Sequence, residues 1–200
     1  MTNLVNEVHK HLSDNVIIQL SKQIGAQDPN QVKRAAGDIV QLLTHALQNS
    51  AGQEEQKRGL YGAIERDHDG GILGDLMGVF TGKKQVNNPK TMNGAGIVNH
   101  LLGKRQLEAA QVIGQNSGLD IFKSGVLMQL IAPVIMGVVG KTTKSKGLDL
   151  GGLASILLGG GQQQQEKSPA GGIFGKLLDM DGDGNMMDDL LNIGMKILRK

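Results

Sequence analysis

The chain has 200 residues, a formal net charge of +2, 30 glycines and no cysteine. That length suits one domain with a core, or a domain with an appendage. The missing cysteine excludes disulfides, thiol catalysis and cysteine-held metals, and near-neutral charge with one Tyr, three Phe and no Trp leaves almost no platform for stacking nucleic-acid bases.

The N-terminus, Met1 to Glu7, has neither a basic start nor an apolar run, so it does not read as a secretion signal. Leu4, Val5, Val8, Leu12, Val16 and Leu20 recur at spacings of three and four, which predicts a helix over about Asn3 to Ile24. Gly25 is placed to end it. Asp28 before Pro29 reads as an N-cap followed by proline at the first helical position. Val32, Ala35, Ala36, Ile39, Val40, Leu43 and Leu47 carry a second helix to about Gln48, and a third runs over Glu54 to Ile64. No segment alternates with period two, so the fold class is all-α, a bundle of short and medium helices.

Glycine-bounded apolar octets follow: Gly71 to Gly78, Gly96 to Gly103, Gly152 to Gly159 and, with Asp at its end, Gly172 to Asp179. Each has apolar residues at positions two, three, six and seven, as in a short helix with one buried face. Their spacing is irregular, which argues against a solenoid. Glu108 to Gln115 reads as helix and Ser117-Gly118 as a break. The most apolar helix spans about Leu119 to Lys141, kinked or restarted near Pro133. Its apolar run from Val126 to Val139 is shorter than the roughly 20 residues of a membrane span, and it reads as a core helix. Lys141 to Gly147 is a basic polar linker. A Gly/Gln-rich stretch, Gly159 to Gly172, cannot bury enough surface to fold alone. The expected organisation is a helical body over 1–147, a linker with one short helix over 148–171, and a helix–loop–helix over 172–200.

His68-Asp69-Gly70-Gly71 before a short helix, His100 within a glycine-bounded octet, Ser117-Gly118-Leu119, and the apolar run Leu130-Ile131-Ala132-Pro133 stand in that order. In these motifs residues 1–140 resemble the bacterial family labelled domain of unknown function nine hundred and thirty-seven. The resemblance implies an all-helical bacterial protein and no assigned activity.

Five carboxylates fall between Asp179 and Asp189. Counting from Asp179, acids stand at one, three and five (Asp179, Asp181, Asp183), Gly184 at six, Asn185 at seven and Met186 at eight. Alternate oxygens converging on a hard cation, glycine for the sharp turn and an apolar anchor make the arrangement of a calcium loop. Position twelve is Leu190 rather than a bidentate Glu, so Asp188 or Asp189 must close the site. The stretch is similar to EF-hand and dockerin-like loops, and the expectation is a Ca²⁺ ion held by Asp179, Asp181, Asp183, Asn185, Asp188 and Asp189. The competing account is an acidic helix cap without metal. Glu65 to Leu76 aligns with the same template, but Arg66 and His68 stand where acids would help an ion, and there capping is the better account.

Enzyme signatures are weak. His9 and His11 are two apart on a helix and cannot share a metal. His68-Asp69 lacks the further converging ligands of a metallohydrolase. Gly78 to Lys84 does not have the spacing of a nucleotide loop. The sequence therefore predicts a cytoplasmic, non-catalytic partner-binding or scaffold module with a protein partner and no nucleic acid. A membrane-surface protein using helix 119–141 and the glycine-bounded helices is the rival class, and a histidine–metal hydrolase stands third.

Overall fold

The computed structural model describes residues 4–159, all within one compact unit. Every regular element among the described residues is helical. α1 (Leu4–His11), α2 (Asp14–Ile24), α3 (Pro29–Gly52) and α4 (Glu54–Asp67) are followed by a 3₁₀ turn (Gly71–Asp75) and α5 (Leu76–Phe80). A second 3₁₀ turn (Pro89–Met92) leads into α6 (Gly94–Leu102), and a third (Gly103–Arg105) into α7 (Gln106–Ser117). α8 (Ile121–Ser145) and α9 (Leu150–Gly159) complete the described chain.

Local chemistry sets most boundaries. Gly25 has φ 66° and receives the end of α2, a conformation that costs glycine nothing. Asp28 accepts the amide of Asn30 and Pro29 opens α3. Asp120 accepts the amide of Lys123 at the start of α8. The single helix expected over 3–24 is divided at Leu12-Ser13, because Ser13 adopts an extended N-cap backbone and Asp14 supplies an acid to the new first turn. Val8, Leu12 at the break, Val16 and Leu20 still lie in the core.

α8 is the hub. It packs against α1, α2, α3, α4, α6 and α7, and every residue from Ile131 to Gly140 is buried. A helix that is apolar on all sides belongs in an interior. This one is long and apolar enough to cross a membrane by length and composition, yet 61% of its most apolar window is buried inside the fold. The helix runs through Pro133 as one element. Proline has no N–H, so the carbonyl of Gln129, one turn earlier, loses its helical partner. A Cβ at Gly94 would coincide with that same carbonyl oxygen. Glycine alone lets the start of α6 close on the gap that Pro133 opens.

The expected linker over 141–147 is instead the last turn of α8 and its stop. Thr143 is buried and its hydroxyl donates to the carbonyl of Val139 at 2.9 Å, which keeps the helix going to Ser145. Gly147, at φ 58°, then reverses the chain. Residues 150–159, assigned from composition to the linker's short helix, form α9, which packs on α3 and α4. Leu153 and Leu157 bury its apolar face, and the side-chain amide of Gln48 donates to the Leu157 carbonyl at 3.0 Å. Residues 160–171 of the linker and the helix–loop–helix of 172–200 lie outside the described residues.

Gly94 and Gly37 separate space from propensity. A Cβ at Gly37, inside α3, meets nothing within 4 Å. Gly37→Ala is expected to stabilise by about 0.5–1 kcal/mol, whereas Gly94→Ala should destabilise by about 3 kcal/mol. Urea unfolding of both variants measures the difference.

Candidate functional site

The His-Asp-Gly-Gly turn is built against α8. At the end of α4 the His68 amide still bonds to the Ile64 carbonyl at 3.1 Å. Asp69 then accepts the amide of Gly71 at 2.9 Å, and Gly70 takes φ 85°. The turn is pressed flat on the helix. A Cβ at Gly140 would coincide with the His68 carbonyl oxygen, and one at Gly70 would lie 2.6 Å from Lys141 Cβ and 3.1 Å from the Gly137 carbonyl. No side chain fits between the two backbones.

A second set of bonds ties the following segment to the same corner. Thr91 donates its hydroxyl to the Asp67 carbonyl at 2.7 Å. The Asn88 amide donates to an Asp67 carboxylate oxygen at 3.0 Å. Asn93 accepts the amide of Gly96 at 3.0 Å and so caps α6. The end of α4, the Pro89–Met92 turn and the start of α6 are thereby held around a cavity of about 280 Å³, with Met136 of α8 contributing to its wall. Leu60, Ala63, Ile97, Leu101 and Met136 form its apolar part. Asp67, His68, Lys90, Asn93 and His100 form its polar part, and Gly96 completes the lining.

His68 is only 4% exposed. Its Nδ1 is buried without a hydrogen-bond partner, an arrangement that costs free energy unless something fills it. Burial holds the imidazole below the usual histidine range, against the upward pull of the Asp67 and Asp69 charges. The ring is therefore neutral near pH 7, one nitrogen carrying hydrogen and the other a lone pair. A second cavity, of about 350 Å³, lies between Gly25–Gln27 and Gly118–Lys123. Its two charged residues, Asp120 and Lys123, already pair with each other at 2.9 Å, so it has less to offer a guest.

The two histidines noted in sequence, His68 and His100, thus line one cavity. His9 and His11 lie elsewhere, on α1. Among the described residues no group of three or more His, Cys, Asp or Glu side chains is placed to hold a metal. The acids of 65–76 serve separate ends: Asp67 binds Asn88, Asp69 closes the turn, and Asp75 caps α5 through the Gly78 amide at 2.7 Å. Capping is what that stretch does. The six residues expected to hold calcium, Asp179, Asp181, Asp183, Asn185, Asp188 and Asp189, lie outside the described residues. Lys90 and Asn93 are the site residues that sequence reasoning missed. The signal was present in Asn88-Pro89 and Asn93-Gly94, two cap-and-start pairs that bracket Lys90.

Among the described residues the fold is an all-helical body, and this corner is a small, mixed-polarity pocket between α4, α6 and α8. The chain belongs to the family described as bacterial protein of unknown function, DUF937, whose model matches residues 6–142. The matched span contains every residue of the pocket. No curated protein and no solved structure matches the chain.

The lowered affinity of His68 for a proton makes stability depend on pH. The unfolded chain takes up that proton near pH 6.5, the folded chain only at lower pH, so stability is full above 6.5 and falls as pH drops toward the folded value. Burial lowers His9 and His11 in the same direction. Melting temperature should therefore fall between pH 7 and pH 5. His68→Gln should flatten part of that slope and leave the share of His9 and His11, as calorimetric melting across the range will measure.

Proposed function

We propose that this protein is a non-catalytic binding module whose body holds a small guest in the His68–His100 pocket. The observation that carries the reading is a preformed cavity of mixed polarity whose lining includes His68, a residue with a buried, unpartnered Nδ1. Buried polar atoms in native folds are nearly always satisfied, so an exception in a residue that lines the cavity sets this corner apart. At about 280 Å³ the cavity falls just below the range of ligand pockets, roughly 300–1,000 Å³, which suits a small metabolite rather than a cofactor.

A protein partner remains the second reading for the same body. Phe122 is 78% exposed and its neighbour Ile121 is 42% exposed, an apolar pair at the start of α8 that the core does not use. The burial of α8 supports a core helix over the membrane-surface alternative. The calcium ion remains a separate proposal, resting on the acid spacing from Asp179 to Asp189.

Two measurements test these readings. A thermal-shift screen with small metabolites should yield guests that, at ten times their Kd, add about 1.4 kcal/mol, or roughly 3–6 °C. Ala63→Leu, which fills the cavity, should abolish the shift; an intact chain that responds to nothing contradicts the pocket reading. For the ion, calorimetric titration should give heat with calcium at a Kd of about 10⁻⁴ to 10⁻³ M. The double variant Asp181→Ala/Asp183→Ala should give none, and a silent intact chain removes the calcium proposal.

A further inference from the structure

We infer that residues 68–71 form an acid-operated latch: in mildly acidic solution the turn swings off α8 between two fixed ends and carries the His68 ring out of the fold. The latch needs no guest in the cavity. Its two ends are pinned independently. Asp67 is held by Thr91, whose hydroxyl donates to its carbonyl at 2.7 Å, and by Asn88, whose amide donates to its carboxylate at 3.0 Å. At the far end Ile72 and Leu73 are buried, and a Cβ at Gly137 of α8 would lie 3.4 Å from the Leu73 side chain.

Between those ends little apolar surface holds the turn down. Asp69 and Gly71 are exposed and Gly70 is half-buried. The turn's bonds are local: the His68 amide to the Ile64 carbonyl at 3.1 Å, the Leu73 amide to the Gly70 carbonyl at 3.1 Å, and the Gly71 amide to the Asp69 carboxylate at 2.9 Å. Segments with few buried contacts open at lower free energy than the core. The adjacent glycines 70 and 71 let the backbone rotate without a side-chain clash. What seats the turn is the His68 side chain, buried at 4% exposure, and the backbone fit at Gly140.

His68 keeps the latch shut only while its ring is neutral. Its Nδ1 is buried without a hydrogen-bond partner. An imidazolium carries hydrogen on both nitrogens, so in the closed turn the charged ring would leave that donor unanswered. The neighbouring carboxylates are already engaged, Asp67 with Asn88 and, at 3.9 Å, with Arg66, and Asp69 with the Gly71 amide. The remaining groups at this corner are mostly cationic or basic. α8 brings Lys141 against Gly70, and Lys90 and His100 line the same cavity as His68. From α1, His11 and Glu7 stand within range of the Lys141 charge, and Glu7 is paired with Lys10 at 2.7 Å. Burial holds the closed ring below the usual histidine range, against the pull of Asp67 and Asp69. Released into water, the ring regains the ordinary value of 6.5. Proton uptake therefore favours the open turn as pH falls through that value and has no effect well above it. Because His68 lines the cavity, opening the latch also removes part of its wall.

Amide hydrogen exchange in the full chain tests the latch. The amides of His68, Gly71 and Leu73, each bonded at the turn, report its opening, and the amides of α3 report unfolding of the whole body. Protection factors, which remove the intrinsic pH dependence of exchange, are compared at pH 7.5 and pH 5.5. The three reporters should lose about tenfold in protection between those values. Their exchange should be faster than that of α3 and insensitive to urea up to about 1 M, whereas α3 should accelerate with urea. Reporters that match α3 in protection and urea dependence belong to a turn that opens only with the whole fold. Reporters protected equally at both pH values belong to a turn that acid does not move. Either result overturns the latch. His68→Gln should abolish the pH response, while His11→Gln and His100→Gln should retain it. A response that survives in His68→Gln, or is lost in either of the others, overturns the role of His68. The parent chain and the latter two variants decide the outcome even where His68→Gln does not fold.

Discussion

Three approaches of backbone to backbone along α8 hold the functional corner in place. The carbonyl of His68 occupies the space of a side chain at Gly140, Gly70 lies on Gly137 and Lys141, and the start of α6 lies on the Gln129 carbonyl. Hydrophobic burial drives α8 into the centre, but burial is not directional and would accept many rotations of the helices around it. The glycine contacts are directional. They fix where α4 ends and where α6 begins against one helix, and the cavity is what lies between those two fixed points.

The same contacts bring together residues that the sequence holds far apart. His68-Asp69-Gly70-Gly71, the Gly94 start of the next helix and Pro133 are far apart in sequence and meet on α8. Pro133 removes a donor from Gln129, and Gly94 fills the vacated approach. Gly140 makes room for the turn. In this reading the motif is first a joint. Its chemistry arises because the joint buries an imidazole next to a space it does not fill. A buried neutral ring with an unsatisfied nitrogen is an unfavourable isolated feature, which the glycine packing and the surrounding core outweigh.

Much of the fold was legible in the sequence because helical period, caps and glycine stops are local signals. Gly25 and Asp28-Pro29 set their boundaries as written. Ser13-Asp14 and Thr143 were read less well, since a new start inside a continuous apolar stripe and a helix prolonged through Lys141 to Ser145 depend on what the segment packs against. The cavity was not legible at all. Its walls come from residues 60 to 136, and which of their polar groups are already bonded depends on contacts such as Asn88 with Asp67, which no spacing reveals. His68 and His100 could be singled out, but only the fold places them around one space.

The seating of the turn on α8 can be observed directly. Nuclear Overhauser spectra of the full chain should show strong cross-peaks from the Gly140 α-protons to the amide of Asp69. Gly140→Ala should erase them and shift the imidazole resonances of His68 at the same time. Absence of those cross-peaks in the parent chain, or a Gly140→Ala variant whose His68 ring is unmoved, would contradict the account.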